Sequence, residues 1–140
     1  MIKIVIDAMG GDFAPAQQVK GAVEALAKDK ELSVVLTGDE SAVKAELSKY
    51  SYEPSRVEIV HAPEVINNDE VPTKAVKTKK NSSTVVAFQL LKEGKADALV
   101  SSGATGAVLT AAVLILGRIK GISRPALCPR IPNLRGTGTL

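Results

Sequence analysis

Ile2-Lys3-Ile4-Val5-Ile6-Asp7-Ala8-Met9-Gly10-Gly11-Asp12, running on through Ala14-Pro15 into a helical pattern that reaches Ala27, is the stretch from which the fold is read. A short β-branched run stops at an acid, a glycine pair turns the chain, and apolar residues then recur at helical spacing. This is one βα unit, and the rest of the chain repeats it. Leu32 to Leu36 reads as a second strand stopped by Thr37-Gly38-Asp39, with a short helix over Ser41 to Leu47. Val57 to Val60 is a third strand that ends at His61, and Ala96 to Val100 is a fourth. Between them, after Pro63, lies a stretch read as irregular, with Asn67, Asn68, Asp69 and Pro72, followed by Lys74, Lys77, Lys79 and Lys80. Ser82 or Ser83 then caps a helix over Val85 to Lys92 that Gly94 can end. The loop Ser101-Ser102-Gly103-Ala104-Thr105-Gly106 opens a last helix reaching Leu116.

Strand and helix alternating in this way predict an α/β fold, a doubly wound and mostly parallel sheet with right-handed crossovers, forming a single domain over residues 1–140. Composition agrees. Of the 140 residues 45% are hydrophobic but only 3% aromatic, with no Trp, so the core is built from Val, Ile, Leu and Ala, as in a buried parallel sheet. Eighteen Lys and Arg against fifteen Asp and Glu leave a net charge of +3, which suits anionic ligands. The scarcity of aromatic rings to stack on bases argues against nucleic acid. A single cysteine, Cys128, allows no intrachain disulfide and no cysteine-rich zinc site, which fits a cytoplasmic protein. It lies among Pro125, Pro129 and Pro132 in a connecting segment, a poor setting for a catalytic thiol. Met1 leads directly into an apolar strand with no signal-peptide pattern. The near-apolar run Ala107 to Leu116 is ten residues long, too short to span a bilayer, and reads as a buried core helix.

In an open parallel sheet, ligands bind outside the carboxyl ends of the strands. The loops after strands one, three and four open there, carrying Asp7 with Gly10-Gly11-Asp12, then His61 and Glu64, then Ser101 to Gly106. The last loop is neither Gly-x-x-x-x-Gly-Lys-Ser/Thr nor Gly-x-Gly-x-x-Gly, which removes support for a nucleotide. Two readings stay open for it: an anion cradle built from small residues at a helix start, or a tight turn with a helix cap. Asp7 and Asp12 fit turn-fixing and capping better than metal binding, since no further carboxylate or histidine stands at ligand spacing. His61, the only histidine, offers a general acid or a phosphate-orienting group, against a plain structural role. Lys79 and Lys80 stand directly before a helix start, where their charge can serve phosphate capture or docking of an acidic protein, against the bland reading of a solvated face.

Several separated blocks carry a resemblance. Ile4 to Asp12 with Ala14-Pro15 is similar to the opening signature of the PlsX phosphate acyltransferase family. Glu58-Ile59-Val60-His61-Ala62 with Glu64-Val65-Ile66, and Lys79-Lys80-Asn81-Ser82-Ser83, resemble two further family blocks. Ser101 to Ala107, Leu116-Gly117-Arg118-Ile119 and Arg124-Pro125-Ala126-Leu127 resemble the block around its Ser-Ala-Gly-Asn-Thr-Gly-Ala loop. The chain departs from the pattern at Ser102, Ala104 and Asn81, where the family usually has alanine, asparagine and aspartate. The lost asparagine amide removes one contact from the anion loop, for which Ser102 offers a substitute donor.

The resemblance implies an enzyme that moves a fatty acyl group from acyl carrier protein to inorganic phosphate, giving acyl phosphate for phospholipid synthesis. It implies no cofactor and no metal, and a fold like isocitrate dehydrogenase and phosphotransacetylase. Family members are well over twice this length, so the chain is expected to be a truncated N-terminal part, ending at Gly136 to Leu140 where the family enters another core strand. By resemblance and local chemistry together, phosphate binding falls to Lys80, Ser82, Ser83, Gly103, Thr105 and Gly106. His61 is the candidate for protonating the leaving thiolate, and Asp7, Gly10, Gly11 and Asp12 shape the crevice. The expected partners are acyl carrier protein, inorganic phosphate and a second copy in a homo-oligomer, in the cytoplasm with peripheral membrane association. Two alternatives remain: a phosphotransacetylase-like enzyme using a coenzyme A thioester, and a noncatalytic module that binds the carrier protein.

Overall fold

Parallel pairing of β1 (Ile2–Asp7) with β2 (Leu32–Gly38) sets Ile4 opposite Val34, Val5 opposite Val35 and Ile6 opposite Leu36. Successive side chains in a strand point to opposite faces, so each apolar run supplies both faces of the sheet. In the computed structural model, which describes residues 1–128, 131–132 and 138–139, these strands lie at the centre of a four-stranded parallel sheet. β3 (Val57–His61) flanks β2, β4 (Ala98–Val100) flanks β1, and the order is β3-β2-β1-β4.

Helices cover both faces. α1 (Ala16–Lys28) and α2 (Glu40–Leu47) pack Val19, Ala22, Leu26, Val43 and Leu47 against Val34 and Leu36. On the other face α4 (Ser83–Lys92) brings Ala87 against Val5, Val35 and Ala96. α3 (Pro72–Thr78) and α5 (Thr105–Ala111) extend that layer with Ala75, Val76, Ala107 and Ala111 around Phe88. Complete burial of Leu26, Leu36 and Leu47 contributes about 2 kcal/mol each.

The order of the strands matters more for function than their number. From β1 the chain steps to β2 and β3 in one direction, with α1 and α2 as crossovers. It then returns past both strands to place β4 on the far side of β1. The direction of winding therefore reverses between β1 and β4, and a crevice at their carboxyl ends follows from the topology.

The strands and most helices match the sequence reading, with four differences. β4 begins at Ala98, not Ala96, because Asp97 joins the edge of β1 before the ladder starts: its N–H donates to Lys3 O at 2.7 Å and its Oδ2 accepts from Lys3 N–H at 2.8 Å. The stretch after Pro63 contains α3, which Pro72 starts and which buries Ala75 and Val76. One turn of apolar pattern inside a lysine-rich run is too short for periodicity to reveal. The run Ala107 to Leu116 is α-helical only to Ala111 and continues as a π-helical turn, Ala112–Leu116. It is not wholly buried, since Leu114 and Leu116 are 50% and 42% exposed.

Near the end of the chain, Ile131–Pro132 pairs antiparallel with Gly138–Thr139, apart from the main sheet. Pro129 and the expected strand residues Gly136, Thr137 and Leu140 lie outside the described residues. Among the described residues no helix is long and apolar enough to cross a membrane.

Candidate functional site

Asp7 ends β1 with no exposed surface, and its carboxyl group joins three elements. Oδ2 accepts the Thr84 hydroxyl of α4 at 2.7 Å and the Ser101 hydroxyl, just beyond β4, at 2.8 Å. Ser101 Oγ in turn accepts from Gly103 N–H at 3.1 Å. The start of α4 and the loop that opens α5 are thereby held at the same point on the sheet, where the winding reverses. Oδ1 of Asp7 has no hydrogen-bond partner among the described residues.

The glycine loop after β1 closes against the same point. A Cβ on Gly10 would lie 2.7 Å from Gly103 N and 2.9 Å from Asp7 Oδ2, so only glycine lets the two backbones meet. Gly11, with φ +105°, takes a conformation that side chains disfavour. Ser102 Oγ donates to Gly10 O at 3.0 Å, and the Gln18 amide reaches the same carbonyl as well as Ser102 Oγ, the latter at 3.1 Å. The resulting cleft of about 440 Å³ is bounded by Asp12, Phe13, Gln18, Asn68, Ser102 and Thr105.

The residues singled out in the sequence divide clearly. Asp7, Gly10, Gly11, Asp12, Gly103 and Thr105 come together around this cleft. Ser82 and Ser83 are buried at the start of α4 and do not line the cleft; Ser82 Oγ caps α4, accepting from Val85 N–H at 3.4 Å, and Ser83 O accepts from Thr37 at 3.0 Å. Gly106 packs against α3, for a Cβ there would be 2.8 Å from Pro72 Cγ. Lys80 is exposed.

Lys79 is not a loose charge. Its Nζ donates to Glu70 Oε1 at 2.6 Å and to Val65 O at 2.7 Å. The Asn67 N–H, first, and then Lys79 hold the Glu70 carboxyl below the usual glutamate range. His61 lies at the end of β3, exposed, where Nδ1 accepts from Glu40 N–H at 3.2 Å. It belongs to the start of α2, two strands removed from Asp7.

Sequence reasoning missed Thr84, Gln18 and Asn68. Thr84 directly follows the serine pair, and Gln18 adjoins the buried Val19, so both were within reach of a helical reading. Asn68 carries no local signal, because its place depends on how the loop before α3 folds back. Among the described residues no three His, Cys, Asp or Glu side chains stand close enough together to hold a metal ion.

Fold and site define an α/β protein with a polar crevice between two βα loops at the reversal of a parallel sheet. The family described as "Fatty acid synthesis protein" matches residues 2–140, and the chain belongs to that family. It is 50% identical over 139 residues to a phosphate acyltransferase of Clostridioides difficile and 55% identical over 133 residues to one of Dictyoglomus turgidum. Those matches cover 99% and 95% of this chain but 41% and 39% of the relatives, so the chain spans about two fifths of their length. Among solved structures, the EutD phosphotransacetylase of Staphylococcus aureus matches with a TM-score of 0.56 at 24% identity, and a phosphotransacetylase of Streptococcus pyogenes with 0.57 at 23%. Each match covers 88% of this chain and 40% of the other, a likeness of fold alone.

Proposed function

We propose that the crevice between β1 and β4 is the phosphate-side wall of an acyltransferase that moves a fatty acyl group from acyl carrier protein to inorganic phosphate. The observation carrying this reading is Asp7, which ties the starts of α4 and α5 to one point through Thr84 and Ser101. The first intrahelical bond of α5 runs from Val108 N–H to Ala104 O at 3.0 Å, so the N–H groups of Thr105, Gly106 and Ala107 precede any i−4 carbonyl. Such groups, at the start of a helical run that continues to Leu116, favour an anion. Lys80 adds charge before α4. Gly103 contributes through its small size, because its N–H is already directed to Ser101, and Ser82 and Ser83 contribute by fixing the start of α4.

In this reaction a phosphate oxygen attacks the thioester carbonyl, a C–O bond forms, the C–S bond breaks, and the carrier thiolate leaves and takes up a proton. Phosphate is already a nucleophile, so the protein's task is to hold it near the carbonyl and to lower its charge repulsion. The similarity to phosphate acyltransferases supports the acyl acceptor. The carrier-protein donor, the supply of acyl phosphate to phospholipid synthesis, the cytoplasmic setting, the peripheral membrane association and assembly with a second copy belong to the proposal.

The test is phosphate binding by the chain, followed by phosphate-dependent loss of an acyl thioester presented on acyl carrier protein or on coenzyme A. Phosphate should bind, and Lys80→Gln should weaken it and flatten its salt dependence. A chain that binds no phosphate refutes the reading, and preference for the coenzyme A donor turns it into the phosphotransacetylase-like alternative.

A further inference from the structure

The edge strand β4 is covered well on one face only. Ala98 pairs with Ile4 and Val100 with Ile6, so both share the face of the sheet that carries α1, while Leu99 turns toward α4. α1 packs over β2 and β1 and leaves Val100 54% exposed. The result is a groove of about 340 Å³, with Ile4, Ile6 and Val100 on its sheet wall and Gly21, Ala22 and Ala25 on its helix wall. That volume lies within the roughly 300–1,000 Å³ of small-ligand sites.

Gly21 stands in the interior of α1, where glycine weakens a helix, and nothing lies within 4 Å of the position its Cβ would take. Packing among the described residues therefore gives no reason for glycine there, whereas a ligand that passes close to the helix backbone does. The groove follows β1 from Ile4 to Asp7, about 10 Å at the rise of a strand. At that carboxyl end it meets the cleft beside the α5 loop, because Gln17, Gln18 and Ser102 border both. Asp7 is the only charged residue lining the groove among the described residues, and its carboxyl group is engaged by Thr84 and Ser101. An apolar channel thus opens into a polar cleft where the winding reverses.

We propose that this groove seats the aliphatic tail of a fatty acyl group whose carbonyl stands at the cleft, and that Gly21 sets the length of tail it accepts. The proposal rests on the acyl-transfer reading and deepens it by assigning a surface that selects the acyl chain. An acetyl group would leave the groove empty, so only a longer chain gains from covering Ile4, Ile6 and Val100.

The experiment titrates the whole chain with n-butanol, n-hexanol, n-octanol and n-decanol, neutral probes of the tail, and separately with inorganic phosphate, following methyl and backbone signals by NMR. The alcohols should shift the Ile4, Ile6 and Val100 methyl signals saturably, with affinity rising about two- to fourfold per added methylene until the groove is full. Gly21→Leu, whose side chain enters the open space, should weaken n-decanol about tenfold or more and leave phosphate affinity unchanged. Ala25→Leu fills the same wall and replaces it if Gly21→Leu does not fold. In phosphate-dependent cleavage of acyl thioesters, Gly21→Leu should move the preference to shorter chains without slowing the shortest. Phosphate binding with no dependence of alcohol affinity on chain length overturns the proposal and leaves the acyl-transfer reading standing. A graded alcohol series without phosphate binding supports the tail site and refutes the phosphate assignment. Shifts of equal size at the exposed Ile119 and Leu127, an unchanged series in both filled variants, or a chain that self-associates until Gly21→Leu separates it, overturns the proposal, the last by giving the groove to a second copy.

Discussion

Replacing Gly10 by alanine tests whether the two loops of the crevice are held by direct backbone contact. The added Cβ would be 2.7 Å from Gly103 N, 3.0 Å from Gly103 Cα and 2.9 Å from Asp7 Oδ2. Ordinary carbon contacts start near about 3.5 Å, so the loops must part by something on the order of 0.5–1 Å. Two of the three obstructing atoms are backbone and cannot swing aside as a flexible side chain would. Overpacking of this kind costs about 1–3 kcal/mol, and a value near 2 kcal/mol would lower the folded-to-unfolded ratio about thirtyfold. The displacement also pulls Gly10 O away from Ser102 Oγ and the Gln18 amide, so α1 and the loop that opens α5 lose their common anchor. Gly21→Ala is the control. It lies inside α1 with nothing within 4 Å of its Cβ, and should stabilise the chain by about 0.5–1 kcal/mol. Urea unfolding of the two variants beside the parent measures both effects. If Gly10→Ala shifts the midpoint upward as Gly21→Ala does, the close approach of the two loops is not a constraint and the geometry assigned to the crevice fails.

Arg56→Ala should cost about 3 kcal/mol, because its guanidinium, only 7% exposed, donates to Leu26 O at 2.9 Å, Asp29 O at 2.9 Å and Leu32 O at 3.2 Å; a loss under 1 kcal/mol by urea unfolding would refute that clamp. Glu70, held below its ordinary value of 4.5, stabilises the loop before α3 fully above that value and loses this contribution as the pH falls through the lower folded value. The protection factors of amides in residues 64–70, which correct for the intrinsic slowing of exchange in acid, should therefore fall less on acidification in Glu70→Gln than in the parent, and equal responses would reject the assignment.

The fold was legible because each strand is a short apolar run, β-branched in β1 and β3, with a polar stop, as in Ile2 to Asp7 and Leu32 to Thr37. Such runs predict a parallel sheet covered on both faces, and α1 through Leu26 and α4 through Ala87 supply the covering. The site was legible where glycine or serine stands in a βα loop, since those residue types carry their own backbone reasons. It was not legible where the role depends on contacts distant in sequence. Nothing local distinguishes Lys79, bound to Glu70, from its exposed neighbour Lys80. Nor does local sequence say that the Thr84 hydroxyl meets a carboxyl 77 residues earlier. Strand order was the missing quantity: the loops after all four parallel strands share the carboxyl edge, and only the order selects the pair beside β1 and β4 as neighbours at the reversal.

That selection gives His61 a sharp test. β3 is separated from β1 by β2, and strand spacings of about 4.8 Å put the end of β3 roughly 10 Å from β1 and 14 Å from β4. No direct proton transfer crosses that distance, because a general acid must come within hydrogen-bond reach of the leaving atom or act through one water. His61 already has an occupation, accepting the Glu40 N–H at the start of α2, where Asp39 Oδ1 also accepts from Ala42 N–H at 2.8 Å. His61→Ala should therefore remove part of a helix cap, at about 0.5–1 kcal/mol of stability, and leave phosphate affinity and phosphate-dependent thioester cleavage unchanged. A folded His61→Ala variant that loses more than tenfold in either measurement would move the reacting atoms toward the ends of β2 and β3. The reversal between β1 and β4 would then mark only where the loops are tied together, and His61 would return as the group that protonates the thiolate.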